Sequence, residues 1–145
     1  MTWPPKRRRI SSVFPIEVVF KKPLESNKAQ ILIAPVRQGV AGKEAEWVAV
    51  TDGLHWDDKP QFSPDGNTVY FTSTRDGYLC IWAQKLEPAT KRPVGAPVAY
   101  EHFHNQAGRD AVVLPDFGWD LTVARDKMLI NLPRKSTGIW MVKVD

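Results

Sequence analysis

Pro60-Gln61-Phe62-Ser63-Pro64-Asp65-Gly66-Asn67-Thr68-Val69-Tyr70-Phe71-Thr72-Ser73-Thr74-Arg75-Asp76-Gly77 holds a strand bounded by two turns. Ser63-Pro64-Asp65-Gly66-Asn67 suits a tight reversal: Pro presets φ, Asp bonds its own backbone, and Gly accepts positive φ. Residues 68–73 form a β-rich run, and Asp76-Gly77 between two such runs is a strong hairpin signal. Residues 78–86 then return, and the loop 87–95 brings in a further strand at 97–103. With residues 57–62 as the inner strand leading into the first turn, this stretch predicts a four-stranded antiparallel meander.

Outward from it, β-rich runs recur at residues 16–20, 31–36, 47–51, 121–124, 128–132 and 139–144, among 12 prolines and 9 glycines. No window repeats apolar residues at i, i+3, i+4 and i+7 for long enough to predict a helix, so the fold class is all-β. The runs also repeat one another. Gln30-Ile31-Leu32-Ile33-Ala34-Pro35-Val36, Cys80-Ile81-Trp82-Ala83-Gln84-Lys85-Leu86 and Gly138-Ile139-Trp140-Met141-Val142-Lys143-Val144 each place Ile before a large apolar residue. Ile31 and Ile81 stand 50 residues apart and Ile81 and Ile139 stand 58 apart, close to the period of about 40–50 residues of propeller blades. The step from Ile31 to Val48 equals that from Ile81 to Val98, 17 residues in each.

Residues 60–66, followed by Val69-Tyr70-Phe71-Thr72-Ser73, Arg75-Asp76-Gly77 and Ile81-Trp82, resemble the Pro-Asp-type repeat of TolB-like, WD-repeat-related β-propellers over about residues 56–103. The resemblance implies a partial β-propeller of four-stranded antiparallel meander blades. It divides the chain into a basic N-terminal segment at 1–12, compatible with disorder, a degenerate first blade at 13–55, a complete blade at 56–104, and an incomplete last blade at 105–145. Ala124-Arg125-Asp126-Lys127 replaces the family's Ser-Pro-Asp-Gly in the last unit, and Trp3-Pro4-Pro5-Lys6-Arg7 is a worn version of that turn in the first. Closed propellers carry about four to eight blades. The expectation is therefore a fragment of a larger propeller, or a subunit whose copies associate to complete a ring.

Charge narrows the partners. The net charge of +4 is concentrated in Lys6, Arg7, Arg8 and Arg9; the other 16 basic residues balance the 16 acidic ones. A neutral body with one basic tail is a poor footprint for nucleic acid. No apolar run approaches the roughly 18 residues of a membrane span. Behind the basic cluster, Ser11, Ser12, Pro15 and Glu17 interrupt any signal-peptide core, so no export signal is read, although the resemblance implies the periplasm. Cys80 is the single cysteine, which excludes an internal disulfide and Cys-x-x-Cys zinc spacings.

Catalytic patterns are sparse. Gly-x-Ser-x-Gly is missing, and Ser63 lies in a turn where its hydroxyl is expected to bond a backbone amide. Cys80, between Leu79 and Ile81, reads as a small buried hydrophobe. His102 and His104 share a strand face, but the sequence places no third ligand beside them and Phe103 supplies the inward group. They are expected to face solvent, with no metal. Gly39 and Gly42 lack the ending of a phosphate loop. Trp82 and Trp140 occupy matching repeat positions and read as packing.

Trp56 differs, because Gly53-Leu54-His55-Trp56-Asp57-Asp58 lies on a connection between blades, where ligands are commonly met. His55, Trp56, Asp57 and Asp58, with Arg75 and Asp76 of the hairpin turn, are the candidate binding residues; packing between blades plus turn capping is the alternative. The expected function is a non-catalytic module for protein–protein interaction or sensing, without cofactor, whose partner is a protein or another copy of itself. A small-molecule ligand is left unassigned. Similar blades occur in propellers of bacterial signalling proteins and of prolyl-peptidase-like hydrolases. The resemblance thus leaves an accessory propeller domain of such a hydrolase, or a glycan-binding propeller, as alternatives.

Overall fold

The computed structural model describes residues 16–105, 109, 119–132 and 138–144, and these are mostly strand. The strands are β1 (Ile16–Leu24), β2 (Lys28–Arg37), β3 (Val40–Ala41), β4 (Val48–Ala49), β5 (Asp57–Phe62), β6 (Thr68–Ser73), β7 (Cys80–Lys85), β8 (Val98–Glu101), β9 (Asp120–Val123), β10 (Lys127–Leu132) and β11 (Gly138–Lys143). A turn of 3-10 helix, Glu44–Glu46, lies between β3 and β4. Strand pairing is antiparallel throughout the three sheets. The first joins β1 to β2, with β3 and β4 both paired to β2; the second runs β5-β6-β7-β8; the third runs β9-β10-β11.

The middle sheet is the four-stranded meander expected from its turn signals, and side chains build the turns. Thr68 N–H donates to Ser63 Oγ at 2.9 Å, Ser63 Oγ–H to Asp65 Oδ1 at 2.6 Å, and Asn67 N–H to the same carboxylate oxygen at 3.0 Å. At the opposite end Gly77 N–H closes on Thr74 O at 3.0 Å, with Gly77 at φ 85°.

Alternation along the strands sorts side chains onto two faces, and each face of the middle sheet meets another sheet. Val69, Phe71, Trp82 and Leu86 pack with Val19, Ile31, Ile33 and Val50 of the first sheet. Tyr70, Leu79, Ile81 and Ala83 pack with Trp119, Leu121, Met128, Ile130 and Val144 of the third. Two apolar layers thus hold three stacked sheets together. Each large side chain such as Phe71 contributes about 1.5–3 kcal/mol by leaving water.

The sheets share their pairing register. Ile33 pairs Val48 and Ala83 pairs Val98, so the equal 17-residue steps correspond to equal pairings. Lys21 opposes Ile31, Thr72 opposes Ile81, and Asn131 opposes Ile139. Even the irregularity recurs. Ile31 O accepts from both Val50 N–H at 2.9 Å and Thr51 N–H at 3.4 Å, and the β7–β8 register slips between Ile81 and Trp82. Val19, Ile31, Ile33 and Val50 therefore correspond to Tyr70, Ile81, Ala83 and Tyr100, and the first three also to Leu129, Ile139 and Met141.

Some details differ from the reading of the sequence. β1 continues to Leu24, because Ser26 and Asn27 turn the chain at φ 59° and 55° without a glycine. The strands at 47–51 and 97–103 shorten to β4, which stops where Val50 and Thr51 bulge opposite Ile31, and to β8, which runs through its bulge as far as Glu101. The basic segment 1–12, the Trp3–Arg7 turn, most of 105–118 and the side chain of Trp140 lie outside the described residues. Among the described residues, no helix is long and apolar enough to cross a membrane.

Candidate functional site

β5 and β7 begin, and β6 and β8 end, at one end of the middle sheet, which gathers every residue singled out around Trp56 and the hairpin turn. The structure draws them into two groups. Asp57 and Asp58 lie within β5, both buried. Asp57 Oδ1 accepts from Arg75 Nη2 at 3.0 Å, and Asp58 Oδ2 pairs with Lys21 Nζ of β1 at 3.0 Å. Arg75 also lies over the Phe71 and Trp82 rings, at 5.2 and 5.0 Å, and Lys21 over Trp56 at 4.7 Å. His55 O and Trp56 O accept from Ala29 N–H and Thr74 N–H. The Lys21 and Ala29 contacts tie the first sheet to the middle one, and those of Arg75 and Thr74 brace the middle sheet itself. Carboxylates so enclosed and paired act within the protein, so the contact surface expected around Trp56 contains little of Asp57 or Asp58.

Asp76 belongs to the second group. Its Oδ2 lies 2.9 Å from His104 Nε2 and 3.3 Å from His102 Nδ1, and those two nitrogens are 3.1 Å apart. Cys80 Sγ completes the cluster, and the four donor atoms all lie within 4.8 Å of one another. The supports come from neighbouring groups. Phe103 N–H donates to Cys80 Sγ at 3.3 Å, Tyr78 N–H to Asp76 Oδ1 at 3.3 Å, and the Tyr78 ring stacks on His104 with centroids 4.4 Å apart. Phe103 points the other way, edge-on to Trp119 in the second apolar layer, so both histidines are turned outward and exposed.

The electrostatics follow from these contacts. Burial alone would raise Asp76, but hydrogen bonds from His104 and from Tyr78 N–H outweigh it and hold the carboxyl below its usual range. Burial pushes the Cys80 thiol up to about 11, against the Phe103 N–H that favours the thiolate, with Asp76 adding to the rise. The cluster groups one sulfur, two imidazole nitrogens and one carboxylate oxygen, donor types that transition-metal ions take.

Strand alternation alone pairs His102 with His104 and points to no further ligand. Asp76 and Cys80 join them only because β7 pairs β8 through a bulge that swings residues 102–104 back over the hairpin turn, and no local signal encodes that slip. At the far end of the sheets a groove of about 520 Å³ lies among Glu17, Phe62, Gly66 and Lys91. Its lysine is already engaged with Gly66 O and Asn67 Oδ1. Compared with known proteins, the chain matches no family model and no curated protein.

Proposed function

We propose that this chain is a non-catalytic module of β-propeller type that acts by stacking its outer sheet faces against a second copy of itself. The observation that carries the reading is the fate of repeat-equivalent residues. Ile31 and Ile81 are fully buried, each by the sheet that follows, whereas Ile139 is 83% exposed. Ile33 and Ala83 are buried in the same way, and Met141 is 65% exposed. Tyr70 is buried and Leu129 is 42% exposed. The third sheet thus presents the very face that its two predecessors bury.

The first sheet shows the converse. Val18 corresponds to Val69 and Met128, both at 0%, yet it is 40% exposed, next to Ile16 at 66%. One end of the stack has the front face of a repeat and the other has the rear face. Apolar patches of this kind mark interaction sites, and repeat units gain stability from each covered neighbour. Front against rear between two copies covers both ends and gives about six blades, within the range of closed propellers.

Light scattering of the purified chain at micromolar concentration tests this reading. The expected particle has the mass of two copies. A concentration-independent particle of 16.4 kDa that unfolds cooperatively would overturn it.

A further inference from the structure

We propose that Asp76, Cys80, His102 and His104 form a four-coordinate site for a borderline-soft divalent transition-metal ion, zinc foremost, which clasps the outgoing end of β8 to the β6–β7 turn. Around tetrahedral zinc, bonds of about 2.0–2.3 Å place neighbouring ligand atoms roughly 3.3–3.8 Å apart. The two imidazole nitrogens and Asp76 Oδ2 stand 2.9 to 3.3 Å from one another, and Cys80 Sγ lies within 4.8 Å of all three. A shared proton satisfies two such atoms at once; a cation at their centre satisfies all four.

The surroundings fit a ligand site. Tyr78 N–H fixes the carboxylate through its other oxygen, the Tyr78 ring holds the His104 plane, and Phe103 N–H donates to the sulfur, each orienting a donor from behind. Cys80 closes the floor of the site, fully buried, while the histidines leave its mouth open to entering ions. One thiolate and two imidazoles select zinc or its neighbours over magnesium or calcium, which prefer oxygen alone. Four protein ligands fill a tetrahedron, so the ion serves structure and leaves no position for substrate.

The repeat gives independent support, because it does not need these residue types. Gln30, Asp52 and Leu54 stand in the first sheet where Cys80, His102 and His104 stand in the middle one, and the same bulge and the same pairing form there without those ligand types. The quartet is an addition to the middle sheet. Binding releases the Cys80 thiol proton to solvent and joins groups 28 residues apart, from Asp76 to His104.

Tag-free chain is titrated with Zn2+ in competition with a chromophoric chelator, and with Co2+ followed by absorption. The expected results are one ion per chain, a cobalt spectrum of tetrahedral intensity with a thiolate-to-metal charge-transfer band, and a higher Tm with zinc. His102→Ala and His104→Ala, both at exposed positions, each weaken binding at least tenfold, and Cys80→Ser removes the charge-transfer band. Should Cys80→Ser fail to fold, the two histidine variants and the parent cobalt spectrum still decide. An octahedral cobalt spectrum without charge transfer, or unchanged affinity in the histidine variants, would show adventitious surface binding and overturn the site.

Discussion

At Gly77 the backbone sits at φ 85°, and a Cβ built there meets no atom within 4 Å. Space is free, so any penalty for a side chain is purely conformational. Gly77→Val forces a β-branched residue into the left-handed region and is expected to cost more than about 1 kcal/mol. Gly77→Asn, which tolerates that region, costs clearly less. Urea denaturation of both variants checks the order; equal losses would point to a contact and not to φ. Arg75 poses the opposite problem. Its guanidinium neutralises Asp57, whose carboxylate is fully enclosed. Arg75→Ala leaves that charge buried and alone, with an expected loss of about 3–5 kcal/mol. Adding Asp57→Asn to Arg75→Ala restores much of it, and a double-mutant cycle by denaturation measures the coupling. Loss of under 1 kcal/mol in the single variant would show that Asp57 is not held by its arginine.

The strands show which parts of the sequence were legible. Turns whose chemistry is local were read correctly: Ser63, Asp65 and Gly77 form the bonds and dihedrals that their residue types demand. The equal steps from Ile31 to Val48 and from Ile81 to Val98 encode pairing register, because register is a counted quantity along the chain. The three-residue turn at 25–27 was hidden, since Ser26 and Asn27 take positive φ without a glycine. The metal-type cluster was hidden for a different reason, as it depends on a bulge between strands. Burial of the aspartates at 57 and 58 is equally invisible, for their partners Arg75 and Lys21 come from the β6–β7 turn and from β1. The shared register makes a prediction. Ile81 and Ile139 are equivalent in register but opposite in burial, at 0% and 83%. Ile81→Ala is expected to cost about 2–5 kcal/mol through a cavity in the second apolar layer, and Ile139→Ala within about 0.5 kcal/mol in dilute protein. Chemical denaturation of the two variants under identical conditions decides; comparable losses would mean that Ile139 is covered by the chain itself.

For the molecule as a whole, the direction of stacking is what the exposed faces constrain most sharply. Front-to-rear contact would put Leu129, Ile139 and Met141 of one copy against Ile16 and Val18 of the next, and heterologous contacts of that kind close into a ring or continue as a filament. Front-to-front contact would use one face twice and leave the other bare. Charge substitution separates the cases, because a lysine costs little on an exposed face of the monomer but much once buried unpaired in a junction. Met141→Lys and Val18→Lys are each expected to reduce the particle to 16.4 kDa and to abolish the concentration dependence of Tm. Mixed together, the two variants retain one intact junction, formed by the unaltered front of the Val18→Lys copy and the unaltered rear of the Met141→Lys copy. A one-to-one pair should therefore reappear on mixing, weaker than the parent assembly, in light scattering of the combined samples. Front-to-front pairing predicts instead that Val18→Lys alone still dimerises and that mixing rescues nothing. In a filament, parent protein would grow with concentration beyond two copies, while the mixed variants would stop at the pair, since each added copy needs a junction that one of the lysines has closed.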